Sequence, residues 1–222
     1  MFITFEGPEG SGKTTQQALL ADWLRRKGLD VLTTREPGGT AIGDRVRAIL
    51  LDPVSTEMRP EAEVLLFSAS RAQIVAQVIR PQLQQGGVVL CDRYADSTLA
   101  YQGYGHGMDL AALSTITAFA TGGLVPDLTV YLDIDVEAGL QRKAAHADQD
   151  ASQWNRMERK ALAYHHRVRA GYLDMAAQAP DRWLVIDAAQ GVEAVQEIIR
   201  GRVGPILRPE AMRRTASVET GT

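Results

Sequence analysis

The run Gly7-Pro8-Glu9-Gly10-Ser11-Gly12-Lys13-Thr14 constrains this chain more than any other stretch. It fits G-x-x-x-x-G-K-[ST] and lies between an apolar strand pattern at 2–5 and a helical pattern at 14–27. Its glycines let successive backbone N–H groups converge on phosphate oxygens with no Cβ in the way. The helix start adds partial positive charge at the same point. Lys13 suits the β- and γ-phosphates of a nucleoside triphosphate, and the Thr14 hydroxyl suits Mg2+. A site for ATP or a similar nucleotide is therefore expected.

The rest of the chain repeats the strand–helix alternation. Apolar runs at 31–34, 88–91, 128–134 and 183–186 read as further strands, buried on both faces as central parallel strands are. Helical patterns fall at 42–51, 60–80, 110–121, 136–145, 156–177 and 192–200. The expected fold is α/β of the P-loop NTPase type, a five-stranded parallel sheet flanked by helices. In such sheets ligands sit at the carboxyl ends of the strands. One domain is expected over 1–203. The stretch 204–222 loses apolar periodicity and reads as a disordered tail.

Composition narrows the partners. The 222 residues carry a formal charge of −3, which argues against a general nucleic-acid binder. A single cysteine, Cys91, fits a reducing compartment. The N-terminus leads straight into a strand pattern, and no apolar run reads as a membrane span. The expected setting is the cytoplasm.

Three further constellations suggest a second anionic ligand. Asp92-Arg93-Tyr94 follows the third strand pattern. Asp92 there could hold Mg2+ through water, and Arg93 offers a planar fork for phosphate. A plain Asp–Arg ion pair capping the strand is the alternative. On the helix at 60–80, Phe67 and Arg71 lie one turn apart on an otherwise apolar face. They suit a flat heterocycle, although the pattern taken alone favours Phe67 in the core and Arg71 snorkelling to the surface. Arg142-Lys143 and Arg156-Met157-Glu158-Arg159 flank a polar stretch and read either as a mobile lid or as a solvated basic helix face. No N-K-x-D guanine motif follows the fourth strand pattern, which weakens a switch GTPase.

In order, GPEGSGKT, REPGGT, LLFSASRAQ, DRYADSTLAYQG, PDLTVYLDI, NRMER and RVRAGY resemble the bacterial thymidylate kinases over about residues 1–200. The resemblance implies a homodimeric nucleoside monophosphate kinase that takes ATP, dTMP and Mg2+ and yields ADP and dTDP. It implies a helical lid at about 142–159, with Arg156, or less directly Arg142, as the lid arginine and Glu158 as a further metal candidate. It implies that Gly7 to Thr14 bind ATP and that Glu9 faces the acceptor and the metal region. Glu36, Pro37 and Gly38 would line the dTMP site. Phe67 would stack on thymine and Arg71 would bond its carbonyl edge. Arg93 would bind the acceptor phosphate, and Ser97, Thr98, Tyr101 and Gln102 would complete the pocket. Thr98 would read the base, and Tyr101 would crowd the sugar's 2′ position. Lys13, Arg93, Arg156 and Glu9 form the implied catalytic set. Ser70 and Asn155 stand where related sequences often carry Asp.

The stretch TREPGGT at 34–40 then reads as a loop for a second phosphate. Glu36 would join a metal, water or arginine network, while Arg93 and the local backbone would make the phosphate contacts. Arg35 fits either the acceptor site or an ion pair. Two alternatives in function stay open: a deoxynucleoside kinase, whose neutral hydroxyl acceptor needs a general base, and a non-catalytic P-loop nucleotide-binding protein.

Overall fold

The computed structural model describes residues 1–147, 157 and 160–207. Five parallel strands, β1 Phe2–Glu6, β2 Val31–Arg35, β3 Val88–Asp92, β4 Leu128–Asp133 and β5 Trp183–Asp187, form one sheet in the order β2-β3-β1-β4-β5. Between β1 and β3, Phe2 pairs with Val89; between β1 and β4, Ile3 pairs with Leu128. The order reverses at β1, so the loop after β1 opens into the crevice where such sheets bind ligands.

Alternate residues of the strands feed opposite cores. Ile3, Phe5, Leu90 and Val130 pack with Leu20 and Leu24 of α1 (Lys13–Arg26) and Ile199 of α9 (Val192–Val203). Phe2, Val89 and Cys91 face the other way, onto Ile74, Val75 and Ile79. Tyr131 turns to the same side and packs on Tyr172 of α8 (Leu162–Gln178). Helices thus cover both sides of the sheet. Double-sided burial holds for β1, β3 and β4 but not for β2 and β5, whose alternate residues are exposed. These two are edge strands and lack a neighbour on one side.

The remaining helices are α2 (Ala41–Leu51), α3 (Pro60–Ile74), α4 (Arg80–Gln84), α5 (Ala95–Thr98), α6 (Leu110–Thr121) and α7 (Val136–Ala147). The pattern at 60–80 predicts one regular helix, yet α3 runs through a π-helical turn, Val75–Ile79, into α4. Pro81 lies just beyond that turn and has no N–H to continue the regular ladder, which accounts for the wider turn. By length and composition the continuous run Pro60–Gln84 could cross a membrane, contrary to expectation. Here its apolar residues Val64, Ile74, Val75 and Ile79 are buried inside the domain.

A second π-helical stretch, Leu99–Gly105, has no counterpart among the expected elements. Its glycines resemble a loop, but they permit close packing. A Cβ on Gly105 would lie 2.7 Å from the Tyr164 ring of α8. At the other end of the chain, a 3-10 turn at Gly204–Ile206 extends α9, and Ile206 and Leu207 pack on the core. Order therefore reaches into the stretch read as a tail, while 208–222 lie outside the described residues.

Candidate active site

The P-loop leaves β1, and Gly12 starts α1 with φ 89°, a left-handed conformation that glycine adopts without strain. Lys13 Nζ donates to the carbonyls of Gly7 (3.1 Å) and Pro8 (2.9 Å), closing the loop on itself. Burial and the neighbouring Arg93 lower the Lys13 pKa, against the pull of Glu9 and Asp92. The Thr14 hydroxyl donates to Asp92 Oδ2 at 3.0 Å, so the start of α1 and the end of β3 meet at these two oxygens. Behind the loop the packing is backbone on backbone. A Cβ on Gly10 would collide with the Gly139 carbonyl of α7, and one on Gly139 would lie 2.5 Å from the Glu9 carbonyl oxygen.

Arg93 takes φ 66°, which is unusual for a residue with a Cβ. Its neighbours hold it there. The Tyr94 N–H donates to Glu6 Oε1 at 2.8 Å, and the Ser97 and Tyr172 hydroxyls each donate to Glu6 Oε2 at 2.7 Å. Glu6 is fully buried, and burial raises its pKa against the nearby Arg93. Arg93 Nη2 donates to Glu9 Oε1 at 2.6 Å, and its guanidinium lies over the Tyr101 ring at 5.1 Å. Its Nη1 has no hydrogen-bond partner among the described residues. No pairing of Arg93 with Asp92 occurs there, so the Asp–Arg strand cap is not what is seen.

Glu9 also accepts from Lys143 Nζ of α7 at 3.0 Å. Burial alone would raise the Glu9 pKa, but Arg93, Lys13 and Lys143 together hold the carboxyl well below the usual range. It stays an anion between three cations.

The second loop is organised differently from the first. The Glu36–Pro37 peptide is cis. Glu36 N–H donates to the Asp92 carbonyl, Gly38 N–H to Ser70 Oγ (3.0 Å) and Gly39 N–H to Asp44 Oδ1 (3.1 Å). Thr40 Oγ1 accepts from Gly43 N–H at 2.9 Å and caps α2. The N–H groups of Glu36, Gly38 and Gly39 are thus engaged inside the protein. Arg35 lies 3.9 Å from Asp44 and also faces the cavity.

Arg71 does not snorkel; it is 1% exposed. Its Nε donates to Glu36 Oε2 at 2.7 Å, one Nη to Thr98 Oγ1 at 2.8 Å and the other to the Tyr94 carbonyl at 3.0 Å. Burial pushes Glu36 up to about 7 against the Arg71 charge. Arg71→Ala would leave that carboxyl buried without its guanidinium, so unfolding stability should fall by about 3 kcal/mol. Urea unfolding measures this, and a loss under about 1 kcal/mol would mean the pair does not support the fold.

All of this converges on one cavity of about 610 Å³. Glu9, Gly10, Gly12, Lys13 and Thr14 form one end, and Glu36, Pro37, Phe67, Ser97, Thr98, Tyr101 and Gln102 form the other. Asp92, Arg93, Arg142 and Lys143 also line it. Gly7, Pro8, Ser11, Gly38 and Arg71 stand behind this lining rather than in it. Arg156 and Glu158, with most of the expected lid, lie outside the described residues. Sequence reasoning missed Arg47 and Leu51 of α2, and Met157, all of which line the cavity, and the supporting Glu6 and Tyr172. Arg47 Nη1 donates to the Pro37 carbonyl at 3.0 Å. A cation one helix after a candidate phosphate loop was the available signal for it.

Comparison with known proteins agrees along the whole length. A family model described as thymidylate kinase matches residues 5–199. The thymidylate kinase of Roseiflexus sp. (strain RS-1) is 56% identical over 214 residues, covering 93% of this chain and 95% of that one. That of Nitratidesulfovibrio vulgaris (strain DP4) is 49% identical over 223 residues, covering 100% of both. The crystal structure of thymidylate kinase from Ehrlichia chaffeensis superposes with TM-score 0.73 at 34% identity, covering 92% of this chain and 98% of that one.

Proposed function

This chain belongs to the thymidylate kinase family, and on that premise we propose how its residues divide the transfer of the ATP γ-phosphate to dTMP, giving dTDP. The observation that carries the division is one continuous cavity with the P-loop residues Gly10, Gly12, Lys13 and Thr14 and with Phe67, Thr98 and Gln102 in the same lining. ATP lies along Gly7 to Thr14, and dTMP lies between Phe67 and Arg93. Phe67 stacks on the base, Thr98 and Gln102 read its edge, and Tyr101 closes on the sugar. Arg93, whose guanidinium lines the cavity, takes the acceptor phosphate.

The acceptor is already an anion, so little proton chemistry is needed. Positioning and charge neutralisation carry the reaction. Lys13 and Arg93 approach the two phosphates from opposite sides, and Glu9 keeps Arg93 and Lys143 oriented between them. We assign the lid arginine to Arg156, with Arg142 second because it lines the cavity. Thr14 and Asp92 are hard oxygen donors 3.0 Å apart beside the P-loop and fit Mg2+, which when bound would neutralise charge on the transferred phosphate. Glu158 is a further candidate ligand.

A homodimer and a cytoplasmic setting complete the reading. Exposed Phe119 (89%) and Leu110 on α6 and Leu65 on the adjacent α3 favour an apolar contact between copies. ADP release from Mg-ATP, measured against a panel of nucleosides and nucleoside monophosphates, tests the whole. Turnover with dTMP supports it. Turnover with thymidine instead, or ADP release indifferent to the acceptor, would sink it. Within that assay, Phe67→Ala should raise the KM for dTMP about tenfold and change kcat little. An unaltered KM would remove the stacking role.

A further inference from the structure

Gln102 lines the acceptor end of the cavity, but its amide does not face it unattached. Its Nε2 donates at 2.7 Å to Oε1 of Glu63, a residue of α3 outside the lining. Both side chains are 1% exposed. A carboxylate can only accept, so it fixes which end of the amide turns towards it. The nitrogen is committed to Glu63, and the carbonyl oxygen becomes the group presented to the ligand. His106 Nε2 stands 3.6 Å from the same Glu63 oxygen and lies against the Tyr164 ring, which walls the carboxylate in.

We propose that Glu63 is a positioning residue that sets base preference by locking the Gln102 amide with its oxygen towards the nucleobase. The inference rests on the assignment of dTMP to this end of the cavity. An acceptor held there complements a base whose N3 carries a hydrogen, as in thymine and uracil. Cytosine presents a lone pair at N3, so the two acceptors repel and one stays unpaired away from water. Mismatches of this kind reject an analogue more strongly than the loss of a methyl group does. Glu63 touches no substrate in this arrangement; it acts through Gln102.

The test compares dTMP, dUMP and dCMP as acceptors at saturating ATP for the full chain and for Glu63→Gln. The glutamine can donate as well as accept, so the Gln102 amide is free to turn over. Relative to dTMP, kcat/KM for dCMP should rise about tenfold in the variant. The same ratio for dUMP should stay where it was, because uracil and thymine share the N3 hydrogen. An unchanged dCMP ratio overturns the proposal, and so does a parallel rise in both ratios, which would report a generally loosened pocket. Glu63→Asp draws the carboxylate back by one methylene and must shift the dCMP ratio in the same direction, which guards against a Glu63→Gln chain that fails to fold. Adding Glu63→Gln to Gln102→Leu should leave the ratio as Gln102→Leu alone sets it. A further change there would mean that Glu63 acts by another route. If the unmodified chain shows no preference for dTMP, the acceptor assignment falls and the inference falls with it. Preference for dTMP in the unmodified chain, with unchanged ratios in the variants, removes only the role of Glu63.

Discussion

Lys13→Ala should lower turnover with ATP and dTMP by about 10³-fold and leave the fold intact. Lys13 is the P-loop cation at the donor end of the cavity, and its described cationic neighbours Lys143 and Arg93 are both engaged with Glu9. Its burial supports a large effect, because charge interactions strengthen where water is excluded. Lys13 also holds the Gly7 and Pro8 carbonyls, so thermal unfolding and dTMP binding serve as controls. Turnover within tenfold of the unmodified chain would take Lys13 out of the reaction.

Arg93→Ala is the companion experiment, with a loss of about the same size. Both residues have a Cβ, so the substitution adds no backbone strain at φ 66°. Glu9 would keep Lys143 as a partner, and Glu6 would keep the Tyr94, Ser97 and Tyr172 donors. The local structure should therefore persist without the guanidinium. Arg93→Lys separates charge from geometry. It restores the charge without the planar fork, so it should recover part of the turnover and little of the dTMP affinity. Full recovery with lysine would show that a point charge suffices.

The parts of this site that were legible in the sequence are those encoded locally. The P-loop needs only contiguous residues and a strand and helix on either side, and all are visible in GPEGSGKT and its flanks. Arg71 was not legible in the same way. Its reading as a surface-seeking residue on an apolar stripe failed because Glu36, Thr98 and the Tyr94 carbonyl reach it from other elements. Tertiary contacts overrode the local pattern. The helix over Leu99–Gly105 was hidden for a related reason: its glycines look like a loop until α6 packs on Gly103 and α8 on Gly105. In the second loop, the hydroxyl of Thr40 is taken up as a helix cap. A short motif states which groups are available, and only the fold decides which are already in use.

The meeting of Gly10 with Gly139 carries a consequence for how this chain can vary. When two side chains pack together, enlarging one can be offset by trimming the other. Here a Cβ at either position would meet main-chain carbonyl oxygen, which no exchange of residues at the partner position can remove. Neither glycine has a compensating mutation. The first anchors the donor loop and the second lies on α7, whose Lys143 reaches Glu9. Drift that is tolerated elsewhere in the domain is closed off at this contact, and a library that randomises both positions together should return functional chains only with the original pair.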